Sequence, residues 1–397
     1  MKRWLSAPAD VVRVHRAATE VEALAVEQAL RAAGLRVWVR SRQVPGYAAV
    51  IASASGVWGD ILVAAEDADR ARQVLAGYLA TLAPGRNASD ASTRRFAGII
   101  PPLVTLFDRQ ARFDEEAMRR HVERLLAGGV HGLLALGTTG EVMHLTAAER
   151  RQVVRAVVDQ TRGRVPVLVG CAGTGTEEVI GYAREAQELG ASGALVIVPY
   201  YWILSDAAVQ MHYRAVARAV DLPVLIYNFP AVSGRNLPPA LIARLAEELP
   251  NLTGIKETLD SIGHLAQVLA LVRPQRPDFS VLCGFEYHLL NTLLLGGDGA
   301  IPGLANVVPQ VSVAVYEAWR RGDLAEAADL MRQRLHLPAL YDLGAPFFVV
   351  VKEAMTLAGL IEHPTVRPPA VSLTDEARAR LAELLHRMGL LQAGPSG

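Results

Sequence analysis

The sequence predicts an α/β protein: a (β/α)8 TIM barrel with extra C-terminal helices, preceded by a small α+β (ferredoxin-like) domain. Three observations lead there. Eight apolar, strand-like runs begin near residues 98, 130, 165, 193, 222, 252, 279 and 299, each followed by an amphipathic helical stretch. Their spacing of about 30 residues is the repeat of a (β/α)8 barrel. The polar stretch PGRNASDASTRR, residues 84–95, separates this series from what precedes it and reads as a linker. Before the linker the order of elements is different, β-α-β-β-α.

In the N-terminal unit, residues 1–83, VVRVHRA alternates like a strand and TEVEALAVEQALRAAG has helical spacing, closing on Gly34. LRVWVRS and GDILVAAED read as two more strands, and ADRARQVLAGYLATL as a second helix. The unit carries no Gly-rich phosphate loop, metal-ligand spacing or catalytic set. Through LRAAGL and DILVAAEDADRARQVL it resembles a small bacterial domain described as a signal-transducing module.

The barrel region, residues 96–321, pairs its elements in order. AGIIPPLVTLF leads to DEEAMRRHVERLLAGG, VHGLLALG to TAAERRQVVRAVVDQ, and VPVLVG to TEEVIGYAREAQELG. GALVIVPYY leads to SDAAVQMHYRAVARAV, LPVLIYNFP to PPALIARLAEELP, and LTGIKE to SIGHLAQVLALV. FSVLCG leads to YHLLNTLLLGG and GAIPG to PQVSVAVYEAWRRG. An open doubly wound sheet is the rival, but such sheets usually have fewer strands. Residues 322–389 read as extra helices, and QAGPSG, closing the 322–397 segment, as a loose tail.

Hydrophobic residues make up 51% of the 397, enough for a large core. Lys+Arg and Asp+Glu both number 40, so no charge excess favours nucleic acid or an anionic membrane. Cys171 and Cys283 each end an apolar run beside a glycine, which reads as reduced thiols rather than a disulfide framework. The N-terminus has no apolar segment of signal-peptide length, and no run approaches a membrane span. The expectation is a soluble cytoplasmic protein.

Barrel active sites sit at the C-terminal ends of strands, so the residues ending each apolar run carry the functional question. Strand six, within LTGIKETLD, places Lys256 in an apolar, β-prone run. Either that lysine reaches out to solvent from a strand end, or it is kept partly dry as a nucleophile. Strand two ends in GTTGE, residues 137–141, whose glycines and hydroxyls suit either a carboxylate cradle or an ordinary turn. Strand four ends in PYYW, residues 199–202, and strand five in YNFP, residues 227–230. Their tyrosines are packing residues or proton relays. A lysine, a tyrosine and an anion cradle on separate strand ends are together the parts of a Schiff-base enzyme for 2-oxo acids.

GTTGE, YNFP and GIKET, in that order and on those strands, resemble the dihydrodipicolinate synthase/N-acetylneuraminate lyase family of pyruvate-dependent class I aldolases. The resemblance covers about residues 96–389. It implies a Schiff base on Lys256, a proton relay at Tyr227, and a pyruvate carboxylate held by Thr138 and Thr139. The Thr138 hydroxyl would link to Tyr227. Tyr201 would complete the relay, in this family often from the neighbouring subunit of a tight dimer. The Ile301 backbone would help position the pyruvyl part. No metal or organic cofactor is implied. The partners implied are a 2-oxo acid and a second copy of the chain, in a dimer or tetramer.

Departures narrow the substrate. The synthases usually carry an arginine two residues after the proline of the strand-five motif; here Val232 stands there and Arg235 lies three residues on. An apolar side chain makes no bidentate ion pair, so aspartate semialdehyde loses its anchor. Sialate lyases also lack that arginine and read a polyhydroxylated tail after strand seven. Gly284, Glu286 and Thr258 are candidates for hydroxyl recognition, while Tyr287 stands where those lyases usually carry a second acid. PYYW, LIYNFPAVSG, GIKETLDSIGHL and PFFVVVKEA resemble bacterial 2-keto-3-deoxy-sugar-acid aldolases most. The expected reaction is cleavage of an acid such as 2-keto-3-deoxygluconate to pyruvate and a hydroxyaldehyde. The alternatives are a synthase-type condensation or dehydration, a sialate-lyase-like cleavage, and a 2-oxo-acid sensor without turnover.

Other signals carry less. The glycines of GCAGTG, residues 170–175, are spaced three then two, the reverse of a dinucleotide fingerprint. The ten histidines show no HExxH spacing. Lys352 reads as structural, and Glu141 as a hydrogen-bonder that holds the GTTGE loop.

Overall fold

The computed structural model describes residues 10–17, 20–41, 59–81, 96–333 and 337–391. The expected linker, 84–95, and the tail QAGPSG lie outside the described residues. Near the N-terminus, β1 (Val11–Ala17), β2 (Val37–Ser41) and β3 (Gly59–Ala64) form an antiparallel sheet in the order β1-β3-β2. The helices Glu20–Ala32 and Ala68–Thr81 complete the β-α-β-β-α series. Ala23, Val26, Leu30, Ile61, Val63, Ala71 and Leu75 form the core between them. The helix Glu20–Ala32 also packs on the barrel helix Ile262–Val272.

Eight further strands form one parallel sheet: β4 (Gly98–Ile99), β5 (Leu133–Ala135), β6 (Val167–Cys171), β7 (Gly193–Ile197), β8 (Val224–Asn228), β9 (Leu252–Glu257), β10 (Ser280–Cys283) and β11 (Gly299–Ala300). Consecutive strands neighbour each other, and β11 lies beside β4. The circle closes where Pro102 bridges Leu134: the Leu103 N–H donates to the Leu134 carbonyl at 2.8 Å and the Leu134 N–H to that of Pro101 at 2.9 Å. This is the predicted (β/α)8 barrel. Four strands start slightly later than their apolar runs, because Val130, Val165, Leu222 and Phe279 pack in the turns that enter them.

Leucine dominates the barrel floor. Phe96, Ile100, Leu134, Leu168, Leu195, Leu225 and Leu282 fill it, with Ile197, Tyr227 and Ile301 in the same interior cluster. Each such burial is worth roughly 1.5–3 kcal/mol relative to exposure, so the interior is a plug rather than a pore. Room for polar groups remains at the C-terminal mouth. Beyond the barrel come the helices Leu324–Arg332, Leu337–Tyr341, Phe347–Leu357 and Asp375–Arg387. Phe347–Leu357 is largely buried and packs on the turn Thr138–Gly140. Among the described residues, no helix is long and apolar enough to cross a membrane.

Candidate active site

β8 and β9 pair in register, with Tyr227 opposite Lys256 and Asn228 opposite Glu257. Side chains alternate across a strand, so Tyr227 and Lys256 share the barrel interior. Lys256 is only 4% exposed. It does not reach solvent. Its Nζ donates to Tyr227 Oη at 3.3 Å and lies 4.4 Å from the centroid of the same ring. Tyr227 Oη is 3.4 Å from Thr138 Oγ1. Among the described residues, no carboxylate forms an ion pair with Lys256. Three strand ends thus bring an amine, a phenol and a hydroxyl into one chain of contacts.

The GTTGE loop is bent at both ends. Leu136 (φ 56°) and Glu141 (φ 54°) are both left-handed, a conformation that costs a non-glycine residue of order 1 kcal/mol or more. The surroundings enforce it. Gly170 on β6 must be glycine, since a Cβ there would collide with the Leu136 carbonyl oxygen. Thr105 Oγ1 donates to the Gly140 carbonyl at 2.6 Å. The buried Glu141 carboxylate accepts from Lys352 Nζ and, at 3.1 Å, from the Arg367 N–H, and it lies 3.2 Å from His144 Nδ1. Lys352 also donates to the Thr365 carbonyl at 2.8 Å and sits 4.3 Å from the centroid of Phe107. Burial pulls its ammonium down to about 8 despite the adjoining carboxylate. The Arg367 guanidinium ties the same region to Glu149 (2.6 and 2.9 Å) and the Ala111 carbonyl (2.7 Å). Lys352 and Glu141 are therefore a brace from the C-terminal helix to the loop.

The remaining predicted residues divide. Tyr201 is 77% exposed, lies edge-on to Trp202, and does not line the cavity beside Tyr227 within its own chain. Tyr200 does line it, its hydroxyl 3.0 Å from Met143 Sδ. That cavity, of about 220 Å³, is bounded by Thr138, Met143, Cys171, Ile197, Tyr200 and Tyr227 among others. Thr139 is half-buried in the short helical turn Thr138–Gly140. Thr258 is buried at the end of β9 with no partner for its hydroxyl, and a Cβ on Gly284 would collide with that hydroxyl. The Ile301 N–H donates to the Cys283 carbonyl at 2.8 Å.

Glu286, a candidate for hydroxyl recognition, is already hydrogen-bonded within the protein. It is buried, and its two oxygens accept from the Leu304 N–H (2.6 Å) and the Tyr341 hydroxyl. Burial raises its carboxyl, against the pull of those two donors. Val232 is 43% exposed and lines the cavity, whereas the Arg235 guanidinium pairs with Asp206. In GCAGTG, the Thr174 N–H already donates to Glu178 at 3.0 Å. The thiols of Cys171 and Cys283 are unpaired, and burial pushes each up to about 12. Among the described residues, no group of three or more His, Cys, Asp or Glu could hold a metal ion.

Sequence reasoning passed over Asn228, Glu257, His264 and Tyr341. The first two were detectable, because in a two-residue period they face away from the site and a charged Glu257 there requires a partner.

Known proteins share the sequence and the fold of this chain. Residues 95–388 match the model of the dihydrodipicolinate synthetase family. A probable 2-dehydro-3-deoxy-D-pentonate aldolase of Escherichia coli (strain K12), YjhH, is 43% identical over 298 residues, which is 75% of this chain and 99% of that one. The "Putative 2-dehydro-3-deoxy-D-gluconate aldolase YagE" of the same organism is 44% identical over 295 residues, 74% of this chain and 98% of that one. The crystal structure of YagE in complex with pyruvate superimposes with a TM-score of 0.73, covering 74% of this chain and 99% of that one. On the family match and these identities, the chain belongs to the dihydrodipicolinate synthetase family.

Proposed function

We propose that this chain is a class I aldolase that cleaves a 2-keto-3-deoxy sugar acid to pyruvate and a hydroxyaldehyde through an imine on Lys256. The observation that carries the proposal is the contact chain Lys256 Nζ–Tyr227 Oη–Thr138 Oγ1, at 3.3 and 3.4 Å, on the C-terminal ends of three barrel strands. The aldolase names of YjhH and YagE, and the pyruvate bound to YagE, support the substrate class.

The Lys256 amine adds to the C2 ketone, and loss of water gives a protonated imine. Tyr227 takes the proton of the C4 hydroxyl while the C3–C4 bond breaks. The bonding electrons pass into the imine as an enamine, and the aldehyde leaves. C3 then takes a proton, and water hydrolyses the imine to pyruvate and free lysine. Thr138 and Thr139 hold the pyruvyl carboxylate, and the Ile301 backbone positions the pyruvyl part. The unpartnered Thr258 hydroxyl, in the space left by Gly284, reads a substrate hydroxyl. The lysine supplies the electron sink, so the reaction requires no metal or organic cofactor. Two unpaired cysteines fit a reducing, cytoplasmic setting.

Competing reactions are less well supported. With Val232 on the cavity wall and Arg235 held by Asp206, no arginine among the described residues is placed for a semialdehyde carboxylate. A sensor without turnover has no need of the intact lysine–tyrosine–threonine set. Purified enzyme is expected to release pyruvate from 2-keto-3-deoxygluconate or a 2-keto-3-deoxypentonate, read by coupling to lactate dehydrogenase. Faster condensation of pyruvate with aspartate semialdehyde would overturn the assignment.

Tyr201 completes the relay from a second subunit. Its exposed ring, outside the cavity of its own chain, supports that reading. Tyr201→Phe is expected to lower kcat by about 100-fold or more, the scale of a lost proton-transfer group. Co-refolding Tyr201→Phe with Lys256→Ala should restore activity, because a mixed dimer holds one site with both residues intact. No restoration from verified mixed dimers would overturn the contribution of Tyr201 across subunits.

A further inference from the structure

Behind the reacting pair lies a second pair. Asn228 and Glu257 follow Tyr227 and Lys256 on their strands, oppose each other in the same register, and turn toward the helix layer. Both are buried. Asn228 Nδ2 donates to Glu257 Oε1 at 2.7 Å and to Asn236 Oδ1 at 2.8 Å. The Leu237 N–H donates to Asn228 Oδ1 at 3.1 Å. His264, on the helix Ile262–Val272, closes the network: Nε2 donates to the Leu237 carbonyl at 3.0 Å, and Nδ1 lies 3.2 Å from Glu257 Oε2.

A carbonyl can only accept, so His264 Nε2 carries a proton. The approach of Nδ1 to Glu257 Oε2 is an electrostatic contact without the alignment of a hydrogen bond. Burial acts to lower the imidazole, but the Glu257 carboxylate and the Leu237 carbonyl outweigh it and leave it above its ordinary range. A buried carboxylate is costly unless it is paired and hydrogen-bonded. An aliphatic residue at 257 would satisfy an interior strand at no such cost, so the acid requires a reason beyond stability.

The backbone ladder supplies that reason. The last main-chain bonds here are the Thr258 N–H to the Asn228 carbonyl (2.8 Å) and the Gly284 N–H to the Glu257 carbonyl (2.7 Å). Beyond them both strands end, at the level where the amine and phenol must meet. We propose that Asn228, Glu257 and His264 are positioning residues, a clamp across the ends of β8 and β9 that fixes the distance and aim of Lys256 Nζ relative to Tyr227 Oη. This inference rests on the imine reading above.

The test combines kinetics with chemical trapping of the imine by borohydride in the presence of pyruvate. Glu257→Ala is expected to slow both trapping and kcat by about 10–100-fold, the scale of a misplaced reacting group, with KM changed only a few-fold. Glu257→Gln should recover most of that loss. Its amide oxygen still accepts from Asn228, and its NH2 can donate to a neutral His264. Should Glu257→Ala fail to fold, Asn228→Ala decides, because it leaves Glu257 paired with His264. Normal trapping rates in a folded Glu257→Ala or in Asn228→Ala, with wild type trapped, would overturn the clamp and leave the imine reading standing. A Glu257→Gln as slow as the alanine variant would also overturn it. A wild type that pyruvate and borohydride fail to modify would remove the imine reading itself.

Discussion

Lys256→Ala is expected to lose about 10⁵-fold or more in pyruvate release while keeping its fold, because it removes a nucleophile delivered at an effective molarity of that order. Tyr227 and Thr138 are hydroxyl donors, and among the described residues no second amine adjoins them. The chain has three lysines, Lys2, Lys256 and Lys352, and Lys352 is bound to Glu141 and the Thr365 carbonyl. The variant should fold. Truncation removes a buried amine whose hydrogen-bond partner within the protein is the Tyr227 hydroxyl, and no carboxylate among the described residues loses an ion pair. Unchanged circular dichroism with abolished turnover is the expected combination. Residual turnover above about 1% of wild type would contradict a lysine-dependent mechanism, because a lost covalent step cannot leave so much.

Lys352→Met should be the most damaging substitution away from the reacting atoms. Breaking a buried ion pair from one side leaves the other charge unpaired and costs roughly 3–5 kcal/mol. Glu141 keeps the Arg367 N–H and the His144 contact, so the lower figure is expected. For a barrel of this size that corresponds to a fall in unfolding midpoint of roughly 6–12 °C. Activity should fall as well, because Glu141 forms the left-handed end of the loop that carries Thr138 and Thr139. A double-mutant cycle checks the cause. In a Glu141→Gln background the same substitution should cost about 2 kcal/mol less, since no orphan charge remains. A Lys352→Met midpoint within about 1 °C of wild type would show that the brace does not hold the loop.

The barrel was legible because a parallel strand covered on both faces leaves an uninterrupted apolar run, and eight such runs recur with helices between them. Strand ends were legible for the same reason: polar residues that close an apolar run can only sit at a mouth. The sequence alone therefore brings Lys256, Tyr227 and Thr138 to one place. Contacts between distant parts of the chain were not legible. Lys352 lies 211 residues from Glu141, and only the tertiary fold shows that the helix carrying it covers the GTTGE loop. The partner of Glu286 was not legible either, because Tyr341, which donates to one of its oxygens, lies 55 residues on in a different helix. Paired tyrosines posed a similar problem. Neighbours in an irregular segment point different ways, so Tyr200 lines the cavity and Tyr201 faces outward.

The central claim is an imine between pyruvate and one particular lysine, and the small number of lysines makes it directly testable. Wild-type protein would be incubated with pyruvate, reduced with borohydride, digested and mapped by mass spectrometry. One reduced pyruvyl group on the peptide containing Lys256, with the peptides of Lys2 and Lys352 unmodified, is the predicted result. An adduct on another lysine, or none while pyruvate is still released from a 2-keto-3-deoxy sugar acid, would contradict the account.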